Sequence, residues 1–448
     1  MQKYAMVLAL IGSVLAAGSA AAEPVLLVTI DGLRPGDVLE AEQRGLQVPT
    51  LRRLVEEGAW ATGVRGVNPT ITSPSHISLI TGASPARHGI YSNAPFDPEG
   101  VNPRGYYNYA RDIRVGTLWD AVHHAGGKVA SIAWPVSTGA RTIDYNLADF
   151  QPSPGMIDNG KLHYTLASDG LPEELEKLTG EDFIAAFAPP AGDPDLDQTR
   201  TRFGIALLKA KRPRLMTFHY SALDGVEHRY GAGTPEAHAS LERTDRALGQ
   251  LVAAAREAQP DTVVVIASDH GFANVTHWVN LLEVFEEHGL ITRDPATGRI
   301  TAWEAMFWVP NGGVVLARPD DPALRDRVAS LLADLQRQPE LGIRRIIGPE
   351  QLRERGAPPM VTFLADLKPG YVVGGEPGAA LVQSGNGQLR GVHGYFHDMP
   401  EMHSTFIISG PTLEQRGSLG IVDMRDIAPT LARILGVEMP DAEGKRIF

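Results

Sequence analysis

An Asp-His pair at the end of an apolar run is the most informative feature of the sequence. The apolar run 263–267, β-branched at its first four positions, predicts a strand, and Ser268-Asp269-His270-Gly271 follows it directly. Open α/β sheets build their sites at the carboxyl ends of strands, so this position suits metal ligands. Other Asp and His residues occur in matching contexts, enough of them to fill two metal sites. The pattern predicts hydrolytic chemistry on phosphorus.

Four further residues could complete such sites. Asp31 ends the apolar run 25–30, and His393 lies in a glycine-rich turn. Asp224 and His228 are four residues apart, so on a helical turn both side chains point the same way and could share one metal ion. Each residue alone is equally an ordinary strand end or loop residue. Their joint occurrence beside strand ends and glycine turns favours a site.

Thr72 is a candidate nucleophile in a Ser/Thr-rich segment that precedes a predicted short helix at 77–81. Ser73 suits the cap of this helix and Pro74 its first position. Thr72 is therefore expected near a helix N-terminus, where free N–H groups favour an anionic phosphoryl group. Its hydroxyl becomes nucleophilic only when a metal or base lowers its pKa. An ordinary capping segment explains the same residues.

The elements that must position these residues alternate between strand and helix. Apolar runs and helical periodicity predict strands at 25–30, 129–134, 214–220 and 263–267, and helices at 50–58, 116–124 and 236–259. This alternation predicts an α/β fold with a central, mostly parallel sheet and helices on both faces. Short strands at 313–317 and 343–347 and a helix at 322–336 indicate a smaller α+β insertion at about 290–385.

Composition excludes several classes of protein. The chain of 448 residues exceeds the roughly 250–300 at which single cores stop growing, so a large domain with a sub-domain is expected. The sequence contains no cysteine, which excludes disulfides, thiolate metal ligands and a thiol nucleophile. A net charge of −12 argues against binding of nucleic acid polymers, which requires a basic surface.

The first residues have the pattern of a secretory signal peptide. Lys3 precedes an apolar stretch at 5–17, and Ala20-Ala21-Ala22 resembles a small-residue cleavage site. Residues 1–22 are therefore expected to be removed, which leaves 23–448 as the catalytic domain. The apolar stretch is short for a membrane span, and no later segment approaches spanning length. We expect a secreted or periplasmic protein with no transmembrane span after cleavage.

Seven segments together resemble the alkaline phosphatase superfamily and, within it, the nucleotide pyrophosphatase/phosphodiesterase family. In chain order they are Thr29-Ile30-Asp31-Gly32-Leu33-Arg34, Pro69-Thr70-Ile71-Thr72-Ser73-Pro74-Ser75-His76, Thr81-Gly82 to His88-Gly89-Ile90, Tyr91-Ser92-Asn93, Asp224 to His228, Ser268-Asp269-His270-Gly271, and His393-Gly394-Tyr395. They follow the family order across nearly the whole chain. The resemblance implies an alkaline phosphatase-like fold.

The resemblance also implies a two-metal hydrolase that cleaves phosphodiester or phosphoanhydride bonds. One metal site would consist of Asp31, Asp269 and His270 with Thr72 bridging the ions, and the other of Asp224, His228 and His393. Carboxylates and imidazoles without sulfur fit two Zn²⁺, with Mn²⁺ or another divalent transition metal as an alternative. Thr72 would attack phosphorus to form a phosphothreonine intermediate, and Asn93 would donate a hydrogen bond to a phosphoryl oxygen.

The substrate is expected to be a small phosphoester, nucleotide-like or similar. Tyr106 and Tyr107 could stack on a base or form a choline cage, although loop packing explains them equally well. Trp134, followed by Pro135, resembles the diesterases and is a further predicted substrate contact. Glu227 stands where relatives usually carry glycine.

Four alternatives remain from the sequence. A phosphate monoesterase would need basic groups for the extra phosphate charge, for which Arg141 and Lys161 are candidates. A phosphonate hydrolase is also compatible. A sulfatase is disfavoured because Thr72 stands where its Cys or Ser would be. A non-catalytic zinc-binding module is disfavoured by the complete ligand set together with Thr72 and Asn93. The oligomeric state is left open.

Overall fold

The structure of the protein is a computed structural model that describes residues 22–101, 105–151, 158–189, 193–308, 312–375, 378–385 and 390–448. Apart from Ala22, the predicted signal peptide lies outside the described residues. Within these residues the strands are β1 Val25–Ile30, β2 Ala59–Trp60, β3 Gly63–Arg65, β4 Val129–Ile132, β5 Tyr145–Leu147, β6 Leu215–Tyr220, β7 Val263–Ala267, β8 Ala273–Asn274, β9 His277–Val279, β10 Ile291–Arg293, β11 Ile300–Trp303, β12 Ala305–Trp308, β13 Gly313–Leu316, β14 Ile343–Ile347, β15 Val361–Leu367, β16 Tyr371–Val373, β17 Val382–Ser384, β18 Gly391–Val392, β19 Phe406–Ser409, β20 Gly417–Ser418 and β21 Ile421–Asp423.

The α-helices of the same residues connect and cover these strands. They are α1 Pro35–Leu39, α2 Ala41–Arg44, α3 Pro49–Glu57, α4 Thr72–Thr81, α5 Pro85–His88, α6 Leu118–His124, α7 Asn159–Leu166, α8 Leu171–Thr179, α9 Phe183–Ala186, α10 Pro194–Lys211, α11 Ala222–Tyr230, α12 Pro235–Ala258, α13 Leu281–Glu287, α14 Pro322–Gln336, α15 Pro349–Glu354 and α16 Ile427–Ile434. Among the described residues, every helix is too short or too polar to span a lipid bilayer.

An eight-stranded sheet forms the centre of the fold, in the order β20-β2-β19-β7-β1-β6-β4-β5. The five strands from β7 to β5 are parallel, and β19 pairs antiparallel with β7. Val28 in the middle of β1 lies opposite Phe218 on one side and Ile266 on the other. The predicted α/β fold with a mostly parallel central sheet is confirmed.

Helices cover both faces of this sheet because successive side chains of a strand point to opposite faces. Leu26, Val28 and Ile30 of β1 contribute to one buried apolar cluster with residues of α3, α10 and α12. Val25 and Leu27 contribute to a second cluster with residues of α4, α6 and α16. Both faces of β1 are therefore buried under helices, which explains why the run 25–30 is almost entirely apolar.

A third buried cluster draws its residues from between 273 and 402 and belongs to a smaller α+β region. Its four-stranded sheet, in the order β12-β13-β15-β14, is antiparallel. Leu324, Val328 and Leu332 of α14 join this cluster with residues of β13 and β15. The predicted insertion at about 290–385 falls inside the region, and β18 leads from it back to His393.

Candidate metal centre and active site

Three neighbouring strands place the candidate ligands at one edge of the central sheet. Asp31 directly follows β1, Asp269 comes two residues after β7, and α11, which carries Asp224, starts two residues after β6. Because β7, β1 and β6 are adjacent and parallel, their carboxyl ends meet at the same edge. This edge is where parallel sheets place ligand sites.

Asp31, Asp269 and His270 form the first group of possible ligands. One ligand atom from each lies within 4.8 Å of the others. His270 Nε2 is 3.2 Å from Asp31 Oδ1 and 3.1 Å from Asp269 Oδ2. All three side chains are buried. The structure therefore brings together the residues that the resemblance assigned to one ion.

Asp224, His228 and His393 form the second group. His228 Nε2 lies 3.3 Å from Asp224 Oδ1, as the spacing of four residues on a helix predicts, and His393 Nε2 lies 3.7 Å from the same oxygen. The ring of His270 stacks on that of His393 with centroids 3.5 Å apart. Asp224, His270 and His393 also have ligand atoms within 4.8 Å of one another, so the two groups are contiguous.

The three imidazoles share one orientation. The Nδ1 atoms of His228, His270 and His393 lie 3.0, 3.1 and 3.0 Å from the backbone carbonyls of Gly391, Gly271 and Thr70. Because a carbonyl oxygen only accepts, each Nδ1 carries a proton, and in the neutral imidazole Nε2 then presents a lone pair to the carboxylates. This arrangement is typical of metal-binding histidines.

Several buried ligand atoms have no hydrogen-bond partner among the described residues. They are Asp31 Oδ1, Asp224 Oδ1, Asp269 Oδ2 and His270 Nε2. A buried acceptor without a partner lowers the stability of the folded protein. Acceptors that face one another are stabilised by a cation bound between them. The donor set of carboxylate oxygens and imidazole nitrogens fits a divalent transition metal.

The pKa values of Asp31 and Asp269 shift in opposite directions. Burial, followed by the charge of Asp269, raises the pKa of Asp31 well above its usual range. Burial also acts to raise the pKa of Asp269, but the neighbouring His270 outweighs it and holds that pKa well below the usual range. Two buried carboxylates this close cannot both be charged without a compensating cation.

Thr72 and Asn93 meet at the start of α4. The helix begins at Thr72 with Ile71 as its cap residue and no side-chain cap, so the predicted capping role of Ser73 is wrong. Ser73 instead donates its backbone N–H to Asn93 Oδ1 over 2.8 Å. Because Oδ1 accepts this hydrogen bond, the group that Asn93 can offer to a ligand is its side-chain N–H₂ donor. Both Thr72 and Asn93 line the cavity beside the candidate ligands.

A cavity of about 290 Å³ opens in front of Thr72. Asp31, Asp224 and His228 line it on the ligand side, and further lining residues include Tyr106, Tyr107, Pro135, Asp149, Gln151 and His219. Tyr106 and Tyr107 therefore lie where a substrate contact was predicted. Residues 102–104 and 152–157, near these in sequence, are outside the described part of the chain.

Trp134 does not line this cavity. Its side chain is fully buried in the second apolar cluster, with its ring edge-on to His76 and to Trp119 at centroid distances of 5.0 and 6.5 Å. A residue without exposed surface cannot contact a substrate, so this predicted contact is wrong. The next residue, Pro135, lines the cavity instead.

His219 and Asp149 are cavity residues that sequence reasoning missed. His219 lies near the end of β6, and its position in an otherwise largely apolar run could have revealed it. Asp149 lies in a loop after β5 and has no such signal. Burial raises the pKa of the Asp149 carboxyl, and the charge of Arg200 opposes that shift.

An ion pair on α10 fixes the start of α11. The Asp197 carboxylate accepts the backbone N–H groups of Ser221 and Ala222 over 3.1 and 2.9 Å. Arg200 Nη1 donates to Asp197 Oδ1 over 2.9 Å and to Ser221 Oγ over 2.8 Å. Both partners are buried. The pair therefore anchors the helix that carries Asp224.

Comparison with known proteins gives a family match over most of the chain. The sequence profile of the family described as type I phosphodiesterase / nucleotide pyrophosphatase matches residues 25–396. Human ectonucleotide pyrophosphatase/phosphodiesterase family member 7 is 23% identical over 425 residues, which cover 93% of this chain and 81% of that protein. Human family member 1 is 25% identical over 261 residues, covering 55% of this chain and 23% of that protein. The chain thus spans less than a quarter of the length of that second relative.

Two solved structures have a fold similar to that of this chain. Human ectonucleotide pyrophosphatase / phosphodiesterase 5 has a TM-score of 0.65 at 18% sequence identity, covering 94% of this chain and 97% of that one. An inactive variant of the murine protein, solved in complex with AMP, has a TM-score of 0.64 with the same identity and coverage.

Proposed function

Because this chain belongs to the type I phosphodiesterase / nucleotide pyrophosphatase family, we propose that it hydrolyses phosphodiester or phosphoanhydride bonds of small substrates. The family profile covers the candidate ligands from Asp31 to His393. The observation that carries the proposal is the convergence, beside Thr72, of buried carboxylate and imidazole atoms that have no hydrogen-bond partner among the described residues.

Two divalent ions, proposed to be Zn²⁺ with Mn²⁺ as the alternative, would complete this site. Asp31, Asp269 and His270, with Thr72, would hold one ion, and Asp224, His228 and His393 the other. When bound, such ions neutralise the carboxylates and stabilise charge on the attacking and leaving oxygens of an in-line displacement.

The residues of the chain then have separate roles. Thr72 Oγ1 attacks phosphorus, the bond to the leaving oxygen breaks, and a phosphothreonine ester forms on Thr72. Water attacks the same phosphorus in the second step and returns the threonine hydroxyl. The Asn93 side chain is held in place by its hydrogen bond from the Ser73 backbone N–H. Its amide N–H group donates to a phosphoryl oxygen, and this hydrogen bond strengthens as negative charge develops on that oxygen in the transition state.

The charge of the cavity favours a diester over a monoester. None of the described residues that line the cavity is Lys or Arg. Arg141 and Lys161, the candidates for binding an extra phosphate charge, are both exposed, and Lys161 Nζ pairs with Asp158 Oδ2 at 2.9 Å. A monoester dianion would therefore lack a protein cation, whereas a diester monoanion requires only the two bound ions.

Hydrolysis of bis-p-nitrophenyl phosphate and p-nitrophenyl phosphate by zinc-loaded protein tests the proposal. We expect a kcat/KM ratio of at least about tenfold in favour of the diester, equivalent to 1.4 kcal/mol of transition-state discrimination. Arg141→Ala and Lys161→Ala should not alter the ratio. A preference for the monoester that either substitution abolishes would reassign the protein to the monoesterases.

We also propose a nucleotide-like substituent on the substrate and a location outside the cytoplasm. A relative of the same fold has been solved with AMP, and the predicted signal peptide supports export. N-terminal sequencing of protein recovered from the periplasm or medium should begin at Glu23. Recovery with residues 1–22 still attached would contradict cleavage.

A further inference from the structure

Thr70 connects the turn that carries His393 to the segment that carries Thr72. His393 Nδ1 donates to the Thr70 carbonyl oxygen over 3.0 Å. The Thr70 side chain makes two more hydrogen bonds to the same turn, because Oγ1 accepts the Gly394 backbone N–H over 3.1 Å and donates to the Tyr395 carbonyl over 2.7 Å. Thr70 is fully buried. Three hydrogen bonds therefore join two segments that lie 323–325 residues apart in the sequence.

The two bonds of the Thr70 hydroxyl act on the backbone next to His393. Gly394 has a φ of +98°, which residues with a side chain rarely adopt, so the chain turns sharply directly after His393. The Gly394 N–H belongs to the peptide bond that follows His393. Its hydrogen bond to Thr70 Oγ1 therefore fixes the backbone from which the imidazole projects.

On its other side, Thr70 is joined to Thr72 by a short extended link. Ile71, the residue between them, is buried and has φ −130° and ψ 149°. The Thr72 carbonyl oxygen lies 2.9 Å from His76 Nδ1 in the first turns of α4. Because a close-packed interior transmits displacements, a shift of Thr70 would reach Thr72 as well.

Resting on the proposed function, we propose that the Thr70 hydroxyl is a positioning group that holds His393 towards the second ion and in register with Thr72. Thr70 supplies no ligand atom, since the turn engages both of its oxygens. It acts through His393, as groups hydrogen-bonded behind a metal ligand do when they set its orientation. Affinity for the second ion therefore depends on the segment that carries the nucleophile.

Thr430 provides a matched control for a purely structural role. Its side chain is also buried, and its Oγ1 donates to the Asp426 carbonyl over 2.6 Å and accepts the Ile447 N–H over 2.9 Å. Among the described residues, none from α16, which carries Thr430, belongs to the ligand groups or lines the cavity. Thr70→Val and Thr430→Val therefore remove the same two kinds of hydrogen bond, one pair at the site and the other away from it.

Zinc affinity, measured by competition with a chromophoric chelator, tests the proposal when urea unfolding is recorded on the same samples. Thr70→Val should weaken one of the two zinc-binding steps by at least about tenfold, the usual effect of losing a group behind a metal ligand. Thr430→Val should leave both steps unchanged at a similar loss of stability. Thr70→Ser, which keeps the hydroxyl, should bind both ions as wild type does.

A double-mutant cycle tests whether Thr70 acts through His393. In a His393→Ala background one ion should remain, held by Asp31, Asp269 and His270, and Thr70→Val should not weaken its binding. A further loss of affinity in this background would show that Thr70 acts on the whole site, which overturns the inference.

Amide hydrogen exchange in wild type tests the same coupling without any variant. If the hydrogen bonds of Thr70 favour zinc binding, bound zinc must favour those hydrogen bonds by the same factor. Added zinc should therefore slow exchange of the Gly394 amide, and exchange that zinc leaves unchanged overturns the inference.

The other outcomes are distinct. Wild-type zinc affinity in Thr70→Val overturns the inference and leaves the proposed function standing. A loss of affinity in Thr70→Ser, or an equal loss in Thr430→Val, also overturns it, because the effect then does not come from the Thr70 hydroxyl. Uptake of two zinc ions by wild type without hydrolysis of any phosphodiester contradicts the proposed function instead.

Discussion

Thr72 is the residue on which the proposed chemistry depends most. Thr72→Ala should lower turnover of a diester by at least about 10³-fold, because loss of a nucleophile removes the covalent route. Metal content should stay at the wild-type level, since carboxylates and imidazoles supply the other ligands. Elemental analysis and kinetics on the same samples check both points. Wild-type activity in this variant would refute the nucleophile assignment.

His393 is the predicted ligand that directly follows β18, within the span of the smaller α+β region. His393→Ala should reduce the zinc content from two ions to one per chain, because Asp224 and His228 alone give an incomplete tetrahedral site. His124→Ala, at the exposed histidine that ends α6, provides the matched control. An unchanged zinc content in His393→Ala would remove this residue from the ligand set.

His88 should contribute to acid sensitivity. Its Nδ1 accepts the Ile90 N–H, Nε2 lies 3.1 Å from Ser78 Oγ, and burial lowers its pKa to about 3. The unfolded chain, with the ordinary value of 6.5, takes up this proton first. Stability from this group is therefore complete above pH 6.5 and falls as the pH drops towards 3, by about 2 kcal/mol at pH 5.

Urea unfolding at pH 7 and pH 5 measures this effect. His88→Gln should lose less stability than wild type between the two values, because glutamine does not titrate. An equal loss in both proteins would show that His88 does not sense this pH range.

At the residue scale, the sequence singled out the candidate ligands because each follows a strand end or glycine turn. Asp31, Asp224 and Asp269 all carry that signal. Trp134 failed because a side chain at a strand end can point into the core as easily as into a cleft. Asp149 could not be found, since its approach to the cavity depends on long-range packing of a loop.

At the scale of elements, α10 controls the geometry of α11 through Asp197. Asp197→Ala should destabilise the protein by about 3–5 kcal/mol, since it leaves the buried Arg200 without its partner. Asp195→Ala, at an exposed position of the same helix, should change stability by less than about 0.5 kcal/mol. Urea unfolding of both variants checks the difference. Equal stabilities would show that Asp197 does not anchor α11.

Elements with clear periodicity were predicted well and irregular ones were not. The boundaries of β1, β7 and α14 coincide with the predicted runs. Helix α4 begins at Thr72, two residues before Pro74, the predicted first helical position. Its first turn is rich in Ser and Thr, which favour caps and turns locally, and buried tertiary packing overrides that preference.

At the scale of the whole molecule, metal binding should stabilise the fold. Within the described part of the chain, Asp31, Asp224 and Asp269 at the sheet edge each have a buried carboxylate oxygen without a hydrogen-bond partner. Removal of metal with a chelator should lower Tm, and added Zn²⁺ should restore it, because each tenfold excess of free ion over Kd adds about 1.4 kcal/mol. Asp31→Asn should reduce this metal-dependent shift. A Tm that is insensitive to chelation would contradict the two-ion site.

The sequence predicted alternating strands and helices and a mostly parallel sheet, but not the pairing of the strands near the C-terminus. β19, near the C-terminus, pairs antiparallel with β7, and short β2 and β20 extend that side of the sheet. Such short strands carry no period of their own. Their pairing depends on contacts between distant segments, which a local pattern does not encode.

The stereochemical course at phosphorus tests the central claim most directly. A chiral p-nitrophenyl phosphorothioate diester, hydrolysed in ¹⁸O-labelled water by zinc-loaded protein, reports whether one or two displacements occur. Each in-line displacement inverts phosphorus, so a phosphothreonine intermediate on Thr72 predicts release of p-nitrophenol with overall retention. Overall inversion would show direct attack by water and would contradict Thr72 as the nucleophile.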